Sequence, residues 1–175
     1  MRNIEIKAKI TNLSYTVSRI KQLTDTYCTV IKQHDTFFKV AEGRLKLRRF
    51  ENGSGELIYY KRSNILGPKL CNYEKAALEA NACVEIKNIL SASNGCIGTV
   101  EKTRQLYMVG QTRIHVDDVE GLGNFLELEF QKNLISMTSL LRITDNCTVL
   151  LLHTRCAISL EWVNLCYFKI AQKKN

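Results

Sequence analysis

Residues 113–129 read RIHVDDVEGLGNFLELE, two alternating segments on either side of Glu120-Gly121-Leu122-Gly123. In the first, Arg113, His115 and Asp117 are spaced by Ile114 and Val116; in the second, Leu126 and Leu128 alternate with Glu127 and Glu129. A period of two sends the charged side chains to one face of a sheet and the aliphatic ones to the other. The glycine-containing tetrapeptide reads as the turn region between two strands, Gln111–Val116 and Phe125–Phe130.

Upstream, the same alternation recurs in Glu5-Ile6-Lys7-Ala8-Lys9, Lys46-Leu47-Arg48 and Lys102-Thr103-Arg104. Working outward predicts strands over 3–10, Thr29–Phe38, Arg44–Phe50, Glu56–Arg62, Leu70–Leu78 and Ile97–Tyr107, which brings the count to eight. Asn52-Gly53-Ser54-Gly55 marks a hairpin, and Gly67-Pro68, with the only proline, marks a loop. A helix opening at Ser14 places Val17, Ile20 and Leu23 or Tyr27 on one face, and residues 79–92 carry Val84, Ile86 or Lys87, and Leu90 on neighbouring turns of a second. The expected class is α+β: an eight-stranded antiparallel sheet with flanking helices. Such a sheet escapes exposed edges by closing into a barrel, whose interior can hold one small ligand.

A chain of 175 residues with 45% hydrophobic and 24% charged residues has the make-up of an ordinary globular protein. The net charge of +8 points to anionic partners without choosing among them. Residues 1–130 hold 19 Lys and Arg against 15 Asp and Glu, and residues 131–175 hold 6 against 2, so the front is only mildly basic. Its cations alternate within strands instead of clustering in runs. The Lys46-Leu47-Arg48-Arg49 stretch is the best signal for nucleic acid, yet Phe37, Phe38, Tyr59 and Tyr60 suit a core better than a base-stacking surface. Neither a specific nucleic acid nor a membrane is expected as a partner. The opening MRNIEIKAKI lacks the apolar core of a signal peptide, and seven cysteines without a CxxC pair read as reduced thiols. Both features lead us to expect a cytoplasmic protein, as a monomer or homodimer.

Two readings of the charged face compete. In one it is a solvated, salt-bridged sheet surface, a common use of alternating charge. In the other it faces inward, where a cluster of cations persists only beside anions, because one buried charge costs several kcal/mol. Lys46, Arg48, Lys61, Lys102, Arg104 and Arg113 would then clamp phosphate oxygens, and Glu5, Asp117, Glu127 and Glu129 could hold Mg²⁺ or Mn²⁺ through oxygen. His34, His115 and His153 show no zinc-type ligand spacing.

Six blocks bear on that choice: NIEIK at 3–7, HDTFF at 34–38, GRLKLR at 43–48, LIYYKR at 57–62, VEKTR at 100–104, and the 113–129 segment. Together they resemble the CYTH superfamily of class IV adenylate cyclases and thiamine triphosphatases, over about residues 3–130. The resemblance implies a closed antiparallel tunnel that binds a triphosphate-containing small molecule and one or two divalent cations, Mg²⁺ or Mn²⁺. It implies catalytic positions at Glu5, Lys7 and Lys61. Phosphate binding falls to Lys7, Lys46, Arg48, Lys61, Lys102, Arg104 and Arg113, metal binding to Glu5, Asp117, Glu127 and Glu129, and Glu74 is a further tunnel carboxylate. Metal-dependent hydrolysis of inorganic triphosphate or a small organic triphosphate, such as thiamine triphosphate, is the expected activity. The alternatives are cyclic AMP formation from ATP, and a catalytically weak polyphosphate- or nucleotide-binding module. Two departures stand out: Asn3 replaces the first signature acid, and residues 131–175 form an atypical tail.

Overall fold

The computed structural model describes residues 2–24, 26–62 and 69–131; the tail beyond them and the Gly67-Pro68 loop lie outside the described residues. Eight strands occur in the order β1 (Arg2–Lys9), β2 (Thr29–Phe38), β3 (Arg44–Phe50), β4 (Gly55–Arg62), β5 (Lys69–Leu78), β6 (Cys96–Val109), β7 (Thr112–Val119) and β8 (Gly123–Gln131). Helix α1 (Leu13–Leu23) joins β1 to β2, and α2 (Ala80–Ser93) joins β5 to β6. The strands close in the order β1-β5-β4-β3-β2-β6-β7-β8, and every pairing is antiparallel. Two meanders, β2 to β5 and β6 to β8, are zipped together by β1, which pairs with β5 on one side and β8 on the other.

Turn chemistry sets the hairpins. Gly53 takes φ +87 while Asn52 Oδ1 accepts from the Ser54 amide, reversing the chain between β3 and β4. Gly110 takes φ +56 between β6 and β7. Strand β6 therefore runs on to Val109, two residues beyond the sequence reading, and β7 extends three residues past Val116.

The barrel is inverted: its main apolar core lies outside the wall. Ala8, Ile114, Val116, Leu126, Leu128 and Phe130 project outward and pack with Ile20 of α1, which is fully buried. Asn12 caps that helix by accepting from the Tyr15 amide, freeing the Val17 and Ile20 face for the wall. Helix α2 seals the β2–β4 side, with Cys83 buried against Phe38 and Leu47. A Cβ on Gly55 would collide with the Arg48 carbonyl oxygen and press on Cys83 Sγ at 2.8 Å, so only glycine allows this approach.

Because Ile20 anchors α1, Ile20→Ala should lower stability by about 2–5 kcal/mol, while Val84→Ala, at a half-exposed site on α2, should stay within about 0.5 kcal/mol. Urea unfolding midpoints of the two variants check the difference.

Candidate functional site

Strand parity decides what the interior contains. On β1 the odd residues Asn3, Glu5, Lys7 and Lys9 point inward, as do Arg113 and His115 on β7 and Phe125, Glu127 and Glu129 on β8. The opposite wall supplies Gln33 and Asp35 from β2, Lys46 and Arg48 from β3, and Lys102 and Arg104 from β6. The cavity they line encloses about 430 Å³. Among the described residues that line it are nine cations (Lys7, Lys9, Lys46, Arg48, Arg62, Lys75, Lys102, Arg104, Arg113) and five carboxylates (Glu5, Asp35, Glu56, Glu127, Glu129), an excess that favours an anion.

Register explains the local pairings. Asp35 lies opposite Arg48 across the β2–β3 ladder, and Arg104 opposite Asp117 across β6–β7. Asp35 accepts from Lys46 Nζ at 2.8 Å and from Arg48 Nε and Nη2 at 2.8 and 2.9 Å. Asp117 accepts from Arg104 Nε and Nη2 at 2.6 and 2.7 Å and from Lys102 Nζ at 2.9 Å. Two buried aspartates thus each hold an arginine fork and a lysine in place. Glu127 accepts from His115 Nδ1 at 2.9 Å, Arg104 Nη2 at 3.1 Å and Lys7 Nζ at 3.3 Å. Glu129 accepts from Asn3 Nδ2 at 2.9 Å and Arg113 Nη1 at 3.4 Å, and Glu5 from Arg62.

These contacts set the protonation states. Burial works against ionised Asp35, but Lys46 and Arg48 hold its carboxyl well below the usual range. Burial likewise opposes ionised Asp117 and Glu127; Arg104 leads the groups that pull both low, with Lys102 and Lys7 acting on Asp117, and Lys7 and the hydrogen bond from His115 on Glu127. Burial and then Arg104 push Lys102 down to about 7, against the pull of Asp117. Burial and the neighbouring Arg48 also lower Lys46.

Most of the residues singled out in the sequence converge here: Glu5, Lys7, Lys46, Arg48, Lys102, Arg104, Arg113, Glu127 and Glu129 all line the cavity. Three corrections follow. Lys61 points outward, its side chain 55% exposed and paired with Glu42 at 2.6 Å, and Arg62 takes the interior position on β4. Glu74 also lies on the outer face, opposite Tyr59, while Tyr73 and Lys75 point inward. Asp117, placed at sequence level on the metal side, is sealed behind the lining at 0% exposure with both oxygens taken by Arg104 and Lys102. The sequence reading missed Asp35 and Arg62 and set aside His115. The ligand atoms of His115, Glu127 and Glu129 lie within 4.8 Å of one another. For Asp35, Arg62 and His115 the sequence signals were their place in the matched blocks and, for two of them, parity: Asp35 shares that of Gln33, and His115 falls in step with Arg113.

A closed antiparallel barrel with flanking helices and a charged interior is the triphosphate-tunnel fold. The chain belongs to the CYTH family, whose domain model matches residues 1–136. A Methanocaldococcus jannaschii protein that bears adenylate cyclase as a provisional name is 28% identical over 139 residues, spanning 74% of this chain and 77% of that one. Among solved structures, PH1012 of Pyrococcus horikoshii superposes with a TM-score of 0.69 at 19% identity, over 85% of this chain and 89% of that one. HpAC1 of Hippeastrum, described as a provisional adenylyl cyclase with a dominant triphosphatase activity, superposes at 0.67 with 17% identity over 90% of each chain. No helix among the described residues is long and apolar enough to cross a membrane.

Removing Asp117 would leave Arg104 and Lys102 buried without their anion, so Asp117→Ala should cost about 3–5 kcal/mol in urea unfolding at neutral pH. The lowered carboxyls give the sign with acid: their contribution is complete above about pH 4 and is lost as pH falls through their folded values. Stability should therefore fall progressively as pH drops below about 4, and urea midpoints that stay level down to about pH 2 would contradict the pairing.

Proposed function

We propose that the protein is a divalent-metal-dependent triphosphatase acting on inorganic triphosphate or a small organic triphosphate held in the tunnel. The observation that carries this reading is the excess of interior cations with two of its arginines fixed by buried aspartates. Arg48 and Arg104 are held by Asp35 and Asp117 through Nε and one terminal nitrogen each, which fixes the guanidinium planes before an anion arrives. Preorganised donors of this kind stabilise charge as it moves onto a leaving phosphate without reorganising at that moment. Lys46 and Lys102 act beside them as point charges, and Arg62 and Arg113 reach the lining from β4 and β7.

The acid-lined wall fits a divalent cation. Glu127 and Glu129 present carboxylates beside His115, the three ligand atoms within 4.8 Å of one another, and Glu5 stands directly across from Glu129 in the β1–β8 register. These residues would hold Mg²⁺ or Mn²⁺, which when bound supplies Lewis-acid polarisation and a water of lowered pKa. Triphosphatase activity agrees with what is described for HpAC1. The name of the archaeal relative favours cyclisation as the second reading, which would use the same clamp on ATP with the ribose hydroxyl as nucleophile. Phosphate release across inorganic and organic triphosphates, assayed beside cyclic AMP formation, separates them.

Lys46→Ala with Arg48→Ala should abolish tripolyphosphate binding in calorimetry, whereas Lys61→Ala on the outer face should leave it unchanged. Equal binding by the double variant would remove the tunnel from consideration. Lys102 supplies a pH test. Its proton is only half held near pH 7, and a bound polyanion favours the charged form, so affinity should fall as pH rises above about 7 and binding should take up a proton. Calorimetry in two buffers of different ionisation enthalpy measures that uptake, and Lys102→Arg should remove the share due to this lysine.

A further inference from the structure

We infer that His115 is a metal ligand in this tunnel and that, with Glu129 and Asn3, it forms a mixed nitrogen and oxygen site that selects a divalent transition ion over Mg²⁺. The inference rests on the tunnel reading and adds a ligand and a selectivity to it.

The ring of His115 is held in one orientation. Its residue is 3% exposed, and Nδ1 lies 2.9 Å from Glu127 Oε1, a contact in which the carboxylate can only accept. Nδ1 therefore carries the proton, and in the neutral ring the lone pair is left on Nε2. Nε2 faces Glu129 Oε2 at 4.0 Å, too far for a hydrogen bond. A carboxylate fixing one ring nitrogen while the other faces a second carboxylate is how metal-ligating histidines are oriented.

Asn3 supplies an independent observation. It is 7% exposed and lines the same cavity, its Nδ2 donates to Glu129 Oε1 at 2.9 Å, and its Oδ1 is buried with no hydrogen-bond partner among the described residues. A buried amide oxygen without a partner is destabilising, and a cation beside Glu129 would relieve it. The donor set is thus one imidazole nitrogen, one amide oxygen and the carboxylate oxygens of Glu129, with Glu127 orienting the ring. Mg²⁺ favours all-oxygen surroundings, whereas imidazole suits later first-row ions, and the affinity order rises from Mn²⁺ onward. Arg104 and Arg113, which also contact these two glutamates, keep the site from becoming a strong general trap for divalent ions.

The test uses Mn²⁺ alone, titrated into the full chain and followed by loss of the free-ion electron paramagnetic resonance signal, with Mg²⁺ as competitor. Mn²⁺ should bind more tightly than Mg²⁺, and pulsed measurements should show nitrogen coupling from a directly bound imidazole. His115→Gln should lose that coupling and about tenfold or more in Mn²⁺ affinity, with Mg²⁺ affinity little changed and the thermal midpoint confirming its fold. Asn3→Asp should tighten both ions by placing a charged oxygen where the amide oxygen lies. Absence of Mn²⁺ uptake at millimolar concentration, absence of nitrogen coupling in the native protein, or unchanged Mn²⁺ affinity in His115→Gln would overturn the inference. Binding of metal-free tripolyphosphate, measured on the same samples, reports on the tunnel separately. If it persists while nitrogen coupling is missing, only the ligand is discarded; if it is absent while coupling is present, only the tunnel reading falls.

Discussion

A carboxylate with no exposure to water, Asp117, sits between an arginine and a lysine on the next strand, and the rest of the tunnel depends on such pairings. Transferring one charge alone into the wall would cost several kcal/mol, comparable with the net stability of a whole domain. Here the cost is met in register: Asp117 faces Arg104 across one ladder and Asp35 faces Arg48 across another. The pairs hold because neighbouring strands bring inward positions together at fixed spacing. A shift of one residue would turn every charge outward and every leucine inward.

The same constraint inverts the ordinary barrel. With charges filling the interior, the apolar half of each strand must find cover outside, and the two helices are where the described residues provide it. Ile20 and Val17 close over β1, β7 and β8, while Cys83 and Leu90 close over β2, β3 and β4. Helix and tunnel are therefore mechanically linked. At Gly55 the link is direct, since this glycine lies against both Cys83 of α2 and the backbone oxygen of Arg48, a residue of the cationic wall. Packing on the outside and position on the inside cannot be varied independently there.

The alternating pattern was legible from sequence because strands such as 113–117 and 127–129 obey a strict period of two, and it gave the strands, the closure and most of the cationic wall. Phase was lost where both faces of a strand are polar. In β4, Lys61 and Arg62 are adjacent cations, and nothing local says which points inward; the ladder to Asn72 and Cys71 settles it in favour of Arg62. Glu74, with tyrosine and lysine as neighbours, has the same ambiguity. Asp117 fails for another reason: an acid committed to an arginine and an acid open to a metal look alike in a sequence, and only the two bonds from Arg104 distinguish them. Asp35 lay within the β-branched and aromatic run TVIKQHDTFF, which reads as core. His115 had no ligand at a familiar sequence spacing because its neighbours come from β8 and β1, the latter more than a hundred residues away.

Charge is not spread evenly around the interior. The wall built by β2, β3 and β6 presents Lys46, Arg48, Lys102 and Arg104, with Asp35 as its own lining acid, already committed to Lys46 and Arg48. The wall built by β1 and β8 presents Glu5, Glu127 and Glu129 with two lysines, Lys7 and Lys9, among them. An anion drawn to the first wall would meet repulsion from the second unless a cation lay between. On the triphosphatase reading proposed above, a polyphosphate bridged by a divalent ion would satisfy both walls together, its oxygens meeting the guanidinium forks and its metal the glutamates. Neither component alone satisfies both, so the asymmetry couples their binding: each should raise the affinity for the other through the field it neutralises.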